Sequence, residues 1–136
     1  MKNFYFIFFI LLFVVVSPKQ SIAQQINPKI QEVYGNMTEQ IAQNEPDRIK
    51  ALNDLLDNRI KIVNSPIVGD DKYTKLSSVP LLNKYNPNLE RDKDFDTENF
   101  NALKYNMNFF TTQTQVYRVD NTDYLIVIKP QTLKKD

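Results

Sequence analysis

The sequence has 136 residues, with 17 basic and 16 acidic side chains, and it contains neither histidine nor cysteine. This nearly balanced charge gives no reason to expect a nucleic-acid or anionic-membrane partner. Without histidine or cysteine the chain has no Cys–His or Ser–His pair, no imidazole metal ligand and no disulfide. These absences exclude a large part of enzyme chemistry.

The first 23 residues have the pattern of a secretory signal peptide. A short basic start precedes an apolar run over residues 4–16, and Ser21 and Ala23 place small side chains at the third and first positions before Gln24. An uncleaved membrane anchor is the alternative, but the apolar run is too short to cross the ~30 Å hydrocarbon core comfortably. We therefore predict cleavage between Ala23 and Gln24. Export to the periplasm or the extracellular space follows, with no transmembrane anchor after cleavage.

Two short helices are predicted after this junction. Asn27 supplies an N-cap side chain and is followed by proline at the first helical position. Gly35 can end this helix in a left-handed cap. We predict one helix at about 28–34 and a second toward Gln43, with a single straight helix across the glycine as the alternative.

A longer amphipathic helix is predicted to begin near Pro46 and to run to about Asn64. Its apolar side chains recur at intervals of three and four residues, at Ile49, Leu52, Leu56, Ile60 and Val63. This apolar side is the best candidate to cover a sheet. The alternation over residues 60–62 leaves a strand as the alternative for the last turn.

Residues 67–96 carry mainly turn signals. A short strand is predicted over 72–76, and Ser77 and Ser78 are predicted to cap one helical turn at 79–82. A connection of this length in a small domain is either functional or held down by its apolar residues, and its tyrosines and leucines favour a packed segment.

Residues 115–129 form the densest β-branched and aromatic run after the signal peptide, interrupted by turn residues at 120–123. This pattern predicts an antiparallel hairpin. A two-residue loop at Asn121 and Thr122 pairs Tyr117 with Ile126, Val119 with Tyr124, and Gln115 with Ile128 on the core side.

A strand over 107–112 is predicted to precede the hairpin and to complete a three-stranded antiparallel meander. The predicted fold class is α+β, with N-terminal amphipathic helices packed on this small C-terminal sheet. A single domain spans residues 24–130, and a polar tail follows over 131–136.

Several short stretches resemble a group of small exported proteins from Bacteroidetes-type genomes. They are KYNMNFF at 104–110 and YRVDNTDY at 117–124, with LSSVPL at 76–81 and NKYNP at 83–87 upstream. The group brings no known activity with it. The resemblance therefore implies export and a single domain, and it assigns no site residues.

The acidic run around Asp92, Asp94 and Asp96 places oxygen ligands at alternate positions, as a calcium loop does. The sixth loop position is Thr97 rather than glycine, and the twelfth is Leu103 rather than glutamate, so the run departs from an EF-hand. A solvated acidic turn is the favoured interpretation, with a Ca²⁺-stabilised binding module as a further alternative. No cofactor is predicted.

A small hydrolase that uses acidic residues is the alternative function. Its candidate carboxylates are Asp70, Asp71, Asp92 and Asp94, which cluster in sequence without any sign of the burial that raises a pKa. The two serines at 77 and 78 lack a general base, and two glycines do not make a phosphate loop. A protein that is not an enzyme is favoured.

The outward side of the predicted hairpin carries Val116, Arg118, Leu125 and Val127. An arginine among apolar strand residues suits a protein interface. The alternative is an ordinary exposed arginine that lies along its apolar neighbours and pairs with Asp120 or Asp123. In both cases Arg118→Ala is expected to leave the fold nearly intact, because a charge on the less buried face contributes little. The leading prediction is an exported, non-enzymatic protein that binds another envelope or extracellular protein through these four residues.

Overall fold

The computed structural model describes residues 25–69 and 71–131, so the predicted cleavage site at Ala23 and Gln24 and residues 132–136 of the predicted tail lie outside the described residues. It has three α-helices followed by a four-stranded sheet, and the predicted α+β class is confirmed. The helices are α1 Pro28–Tyr34, α2 Met37–Asn44 and α3 Pro46–Asp54. The strands are β1 Ile60–Asn64, β2 Thr74–Lys75, β3 Gln115–Arg118 and β4 Tyr124–Ile128.

The predicted break between the first two helices is confirmed. Asn27 Oδ1 accepts a hydrogen bond of 2.9 Å from the backbone N–H of Lys29, which caps the start of α1. Gly35 ends the helix at a φ of +51°, a conformation that costs glycine little because it has no Cβ. The N–H of Gly35 donates to the carbonyl of Gln31 at 2.8 Å.

The prediction that the third helix reaches Asn64 is wrong, and the strand alternative for its last turn is the correct one. Helix α3 ends at Asp54, one wider π-helical turn follows over Leu55–Arg59, and β1 then begins. In the pairing of β1 with β4, Ile60 lies opposite Ile128 and Ile62 lies opposite Ile126. Cross-strand packing of these β-branched side chains is available only to an extended chain, so it overrides the helical spacing.

The sheet has the order β1-β4-β3-β2, which differs from the predicted meander. Strand β1 lies antiparallel to β4, and the short β2 lies parallel to β3. The predicted strand over 107–112 is wrong. Buried and exposed side chains do alternate in this region: Tyr105, Met107 and Phe109 are buried, and Asn106 and Asn108 are exposed. This segment runs beside another loop instead, where the N–H of Asn106 donates to the carbonyl of Pro80 at 2.8 Å.

The predicted register of the hairpin is confirmed. Gln115 pairs with Ile128 and Tyr117 with Ile126. The connection is longer than two residues, because the N–H of Val119 donates to the carbonyl of Tyr124 at 3.0 Å across a loop over 120–123. Asn121 takes a φ of +56° there, which asparagine tolerates better than most residues.

The core lies between the helices and one face of the sheet. This inner face carries Ile60, Ile62, Tyr117, Tyr124, Ile126 and Ile128, which join a single cluster with buried helical side chains such as Ile30, Val33, Ile49 and Leu55. The opposite, outer face carries Lys61, Val63, Val116, Arg118, Leu125 and Val127. Because the two faces alternate along each strand, the confirmed register decides which side chains remain available for a partner.

Two local predictions in the long connection have different outcomes. The short strand predicted over 72–76 is present as β2. The helical turn predicted at 79–82 is wrong in position, since a single 3₁₀ turn lies at Leu76–Ser78 and Val79 is extended. Ser78 Oγ donates to the carbonyl of Lys75 at 2.7 Å, so the serine stabilises the turn that contains it.

Candidate functional site

The structure brings the four predicted partner-binding residues together on the outer face. Val116 pairs with Val127, and Arg118 pairs with Leu125. Val116 and Val127 are half-buried, whereas Leu125 and Arg118 are buried, with only 4% of Arg118 exposed. The expectation of an exposed arginine is therefore wrong.

The guanidinium of buried Arg118 bonds to the loop described over residues 65–69 and 71–73, here called the anchored loop. Arg118 Nε donates to Asp71 Oδ2, and Nη1 donates to the carbonyl of Ser65 at 2.7 Å. The Tyr73 ring lies nearby, with its centroid 6.0 Å from Arg118 Cζ. One planar donor thus holds both ends of the loop against the sheet, which a lysine has too few fixed donors to do.

The two carboxylates expected to pair with Arg118 have other roles. Asp120 accepts from the backbone N–H of Ser77 at 2.9 Å and from its Oγ at 2.6 Å. Burial acts to raise the pKa of Asp120, but the hydrogen bonds from Ser77 outweigh it and hold the pKa below its usual value. Asp123 is exposed in the hairpin loop, and its carbonyl accepts from the N–H of Ser65 at 2.6 Å.

The anchored loop also fixes the ionisation of Asp71. Desolvation acts to raise the pKa of this carboxyl, while hydrogen bonds from Tyr73 N–H and from Arg118 lower it, and the net shift is downward. Asp71 is therefore negatively charged at neutral pH, and its charge is matched by the arginine. Asp70, its neighbour among the predicted hydrolase carboxylates, lies outside the described residues.

Between its two anchors the loop exposes large apolar side chains. Val68 is 87% exposed and Ile67 is 48% exposed. Tyr73 at the far anchor and Val63 at the end of β1 are also exposed. Gly69 takes a φ of +67° beside Val68, a conformation that glycine adopts at little cost. The candidate interaction surface is this set of four side chains together with Val116 and Val127.

The acidic run does not form one group of ligands. Asp92 accepts from Lys104 Nζ at 2.7 Å and from Tyr105 Oη at 3.1 Å. Asp96 accepts from Glu98 N–H at 2.9 Å and from the side chain of Asn99 at 2.6 Å, as a turn-capping residue does.

Asp94, the third predicted metal ligand, is exposed. Among residues 25–69 and 71–131, no group of three or more acidic side chains is placed to hold a metal ion. The structure thus gives Asp92 and Asp96 separate partners and does not bring Asp92, Asp94 and Asp96 together.

A groove of about 560 Å³ lies between the acidic run and the hairpin loop. Asp92, Asp94 and Asp120 all line it, so it is where acid–base chemistry by carboxylates would have to occur. A general acid needs a carboxyl whose pKa is raised by its surroundings. The hydrogen bonds to Asp120 lower its pKa instead, which does not suit this carboxyl to act as a general acid, and Asp92 is in an ion pair with Lys104.

Two buried cationic side chains, those of Lys104 and Arg59, were not predicted from the sequence. Lys104 lies 2.7 Å from Asp92 and 3.8 Å from Glu32, and these contacts join α1 to the long connection. Arg59, at the start of β1, donates to the carbonyls of Lys129 at 3.1 Å and of Phe109. Its Nη1 is buried without a hydrogen-bond partner in the described part of the chain. No local pattern signals either burial, because the partners are distant in sequence.

Comparisons of the chain with protein-family models, with curated proteins and with solved structures found no match. The resemblance to small exported proteins therefore stays a prediction. Within the described residues there is no helix with the length and apolar character needed to cross a membrane.

Proposed function

We propose that this protein is exported, is not an enzyme, and binds another protein of the cell envelope or the extracellular space through the candidate interaction surface. The observation that carries the proposal is the pair Ile67 and Val68, exposed on a loop whose two ends are bonded to buried Arg118. Exposed apolar side chains grouped in this way are typical of interaction sites.

The anchoring supports binding in a second way. A mobile loop loses conformational entropy when a partner orders it, at about 0.5–1.5 kcal/mol for each side chain that becomes fixed. The bonds from Arg118 to Asp71 and Ser65 hold the backbone of the loop in place before any partner arrives. The loop is therefore preorganised for a contact.

The outer face extends this surface beyond the loop. Val116 and Val127 are half-buried side by side on the central strands, and Lys61 is exposed next to Val127. An apolar centre with a charged rim is the usual composition of a protein interface. Arg118 was predicted from the sequence to contact the partner. In this proposal it instead holds the anchored loop in position and does not contact the partner directly.

The test is cross-linking in the native envelope or culture fluid with a photoreactive residue in place of Tyr73, which is exposed on the same surface, followed by identification of the linked protein. The double variant Ile67→Ser, Val68→Ser should lose at least ten-fold of the linked product while it melts like the wild type. Met37→Ser, which replaces another exposed apolar side chain, on α2, is the control and should link as the wild type does. An unchanged yield from the double variant contradicts the proposed function.

A further inference from the structure

Within the described residues, the open edge of β1 has backbone hydrogen-bonding groups without partners. Strand β1 is at the end of the sheet order there, so only its β4 side is paired. The carbonyl of Arg59 accepts from Lys129 N–H at 2.8 Å, and the N–H of Ser65 donates to the carbonyl of Asp123 at 2.6 Å. These two bonds determine which residues of β1 direct their backbone groups toward β4 and which direct them toward the open edge.

In an antiparallel ladder, the residues that bond to the neighbouring strand alternate with residues whose backbone groups point away from it. Because residues 59 and 65 bond toward β4, the groups of Ile60, Ile62 and Asn64 point to the open edge. The N–H of Ile60 donates to the carbonyl of Leu55 and is therefore not available to a partner. Five groups remain without partners in the described residues, namely the carbonyl of Ile60 and both backbone groups of Ile62 and Asn64.

A groove of about 430 Å³ runs beside the same edge on the inner side of the sheet. Ile60 and Ile62 form its wall along β1, and Leu56, Phe100 and Tyr124 complete its apolar lining. A cavity of about 150 Å³ accommodates a benzene ring, so this groove has room for more than one apolar side chain. Its charged members are Lys29 and Lys61, and both are cationic.

We infer that β1 is a strand-addition site for an extended segment of a partner protein, in which apolar residues alternate with acidic ones. An antiparallel segment centred opposite Ile62 makes five backbone hydrogen bonds, two with Ile62, two with Asn64 and one with Ile60. Its apolar side chains enter the groove, because residues paired with Ile60 and Ile62 lie on the same face as these isoleucines. Its acidic side chains lie on the outer face, where one of them is opposite exposed Lys61.

This site adjoins the candidate interaction surface at Lys61 and Val63 of β1. It depends on the backbone edge and the inner groove, whereas the proposed function depends on Ile67 and Val68 of the anchored loop. The variant Val68→Ser should therefore leave strand addition unchanged, and the failure of one proposal does not imply the failure of the other.

The probe is the blocked heptapeptide Glu-Val-Glu-Val-Glu-Val-Glu, titrated into the isotopically labelled protein and followed by backbone amide NMR. Binding should shift the amide signals of Ile62 and Asn64 and slow their hydrogen exchange. N-methylation of the central valine removes the N–H that bonds to Ile62 and should weaken binding at least ten-fold. N-methylation of the next glutamate, whose N–H points away from β1, is the matched control and should change binding less than three-fold.

A charge exchange tests the preference for acidic segments. Lys61→Glu should weaken binding of the acidic peptide and strengthen binding of the peptide with lysine in place of every glutamate. Equal effects of the two N-methyl groups overturn the inference. So does self-association through β1 that the peptide does not displace, because a second copy would then be the occupant of the edge.

Discussion

Replacing Ile126 and Val127, two neighbours in β4, measures separately the contribution of each face of the sheet to stability. Ile126 is fully buried on the inner face, between Ile62 on β1 and Tyr117 on β3. Val127 is half-buried on the outer face, between Lys61 and Val116. Ile126 and Val127 are adjacent in sequence, yet Ile126 packs against the core and Val127 partly faces solvent.

Truncation of a buried isoleucine to alanine costs about 2–5 kcal/mol, from lost transfer free energy and from the cavity that remains. Ile126→Ala belongs in the upper half of this range, since its neighbours are held by the ladder on both sides and cannot collapse into the space. Val127→Ala removes fewer methyl groups from a partly solvated site and should cost about 1 kcal/mol or less. Ile126→Asp should leave no folded population, because it also buries an unpaired carboxylate in a domain whose total stability is about 5–15 kcal/mol.

The assay is urea unfolding at pH 7, followed by circular dichroism and analysed at a common slope. The two alanine variants should differ by at least about 2 kcal/mol in the free energy of unfolding. If they differ by less than about 0.5 kcal/mol, the assignment of the inner face is wrong, and a register shifted by one residue would have to be considered.

Four further predictions follow from the contacts. Arg118→Ala should lower the melting temperature and release the anchored loop to tryptic cleavage after Lys72, with Arg118→Lys intermediate, and equal protection of all three proteins would contradict the anchoring. Asp120→Asn should flatten the loss of stability at low pH: the folded pKa of Asp120 is below its usual value of 3.8, so its contribution is complete above that value and disappears as pH falls through the folded pKa. A urea series from about pH 5 to pH 2 measures the difference, and parallel curves for the variant and the wild type would refute it. Ca²⁺ and chelators should leave the melting temperature unchanged, whereas a rise with micromolar Ca²⁺ would show a site. The intact mass of the exported protein should correspond to cleavage between Ala23 and Gln24, and a species that retains the first 23 residues would exclude it.

The elements that the sequence predicts correctly are those whose cause is local. Asn27 caps the N–H of Lys29 two residues away, and Gly35 ends the helix through its own backbone conformation. The hairpin register follows in the same way, because a short connection leaves few pairings that place Tyr117 and Ile126 on one face. In each case the residues that decide the structure lie within about ten positions of one another, so their pattern is visible in the sequence.

The errors arise where a distant segment supplies the partner. Buried and exposed side chains alternate over 105–109 as they would in a strand with one buried face, but the neighbouring chain is the segment at 80–82 and not the hairpin. Strand β1 takes the place beside β4 that was predicted for 107–112. Periodicity reports which side of a segment is buried, and it carries no information on which segment pairs with it.

Arg118 shows how the same limitation affects the candidate site. Its sequence neighbours suggest an exposed side chain near Asp120 and Asp123, whereas its partners are the Asp71 carboxylate and the Ser65 carbonyl, 47 and 53 positions away. The apolar strand residues around it led to the prediction of an interaction surface, which stays a prediction. They could not show that the loop, with Val68 at its tip, covers the arginine and supplies the exposed side chains.

The exposure of Ile67 and Val68 is the strongest argument that this loop has a binding role. Burial of an aliphatic side chain stabilises a protein by about 1.5–3 kcal/mol, so leaving two of them in water forgoes a substantial part of a total of about 5–15 kcal/mol. The chain has no disulfide to compensate. A loop that only connected β1 to β2 would be about as stable with serine at positions 67 and 68. A partner that buries the two side chains would gain the burial free energy that the isolated fold does not use.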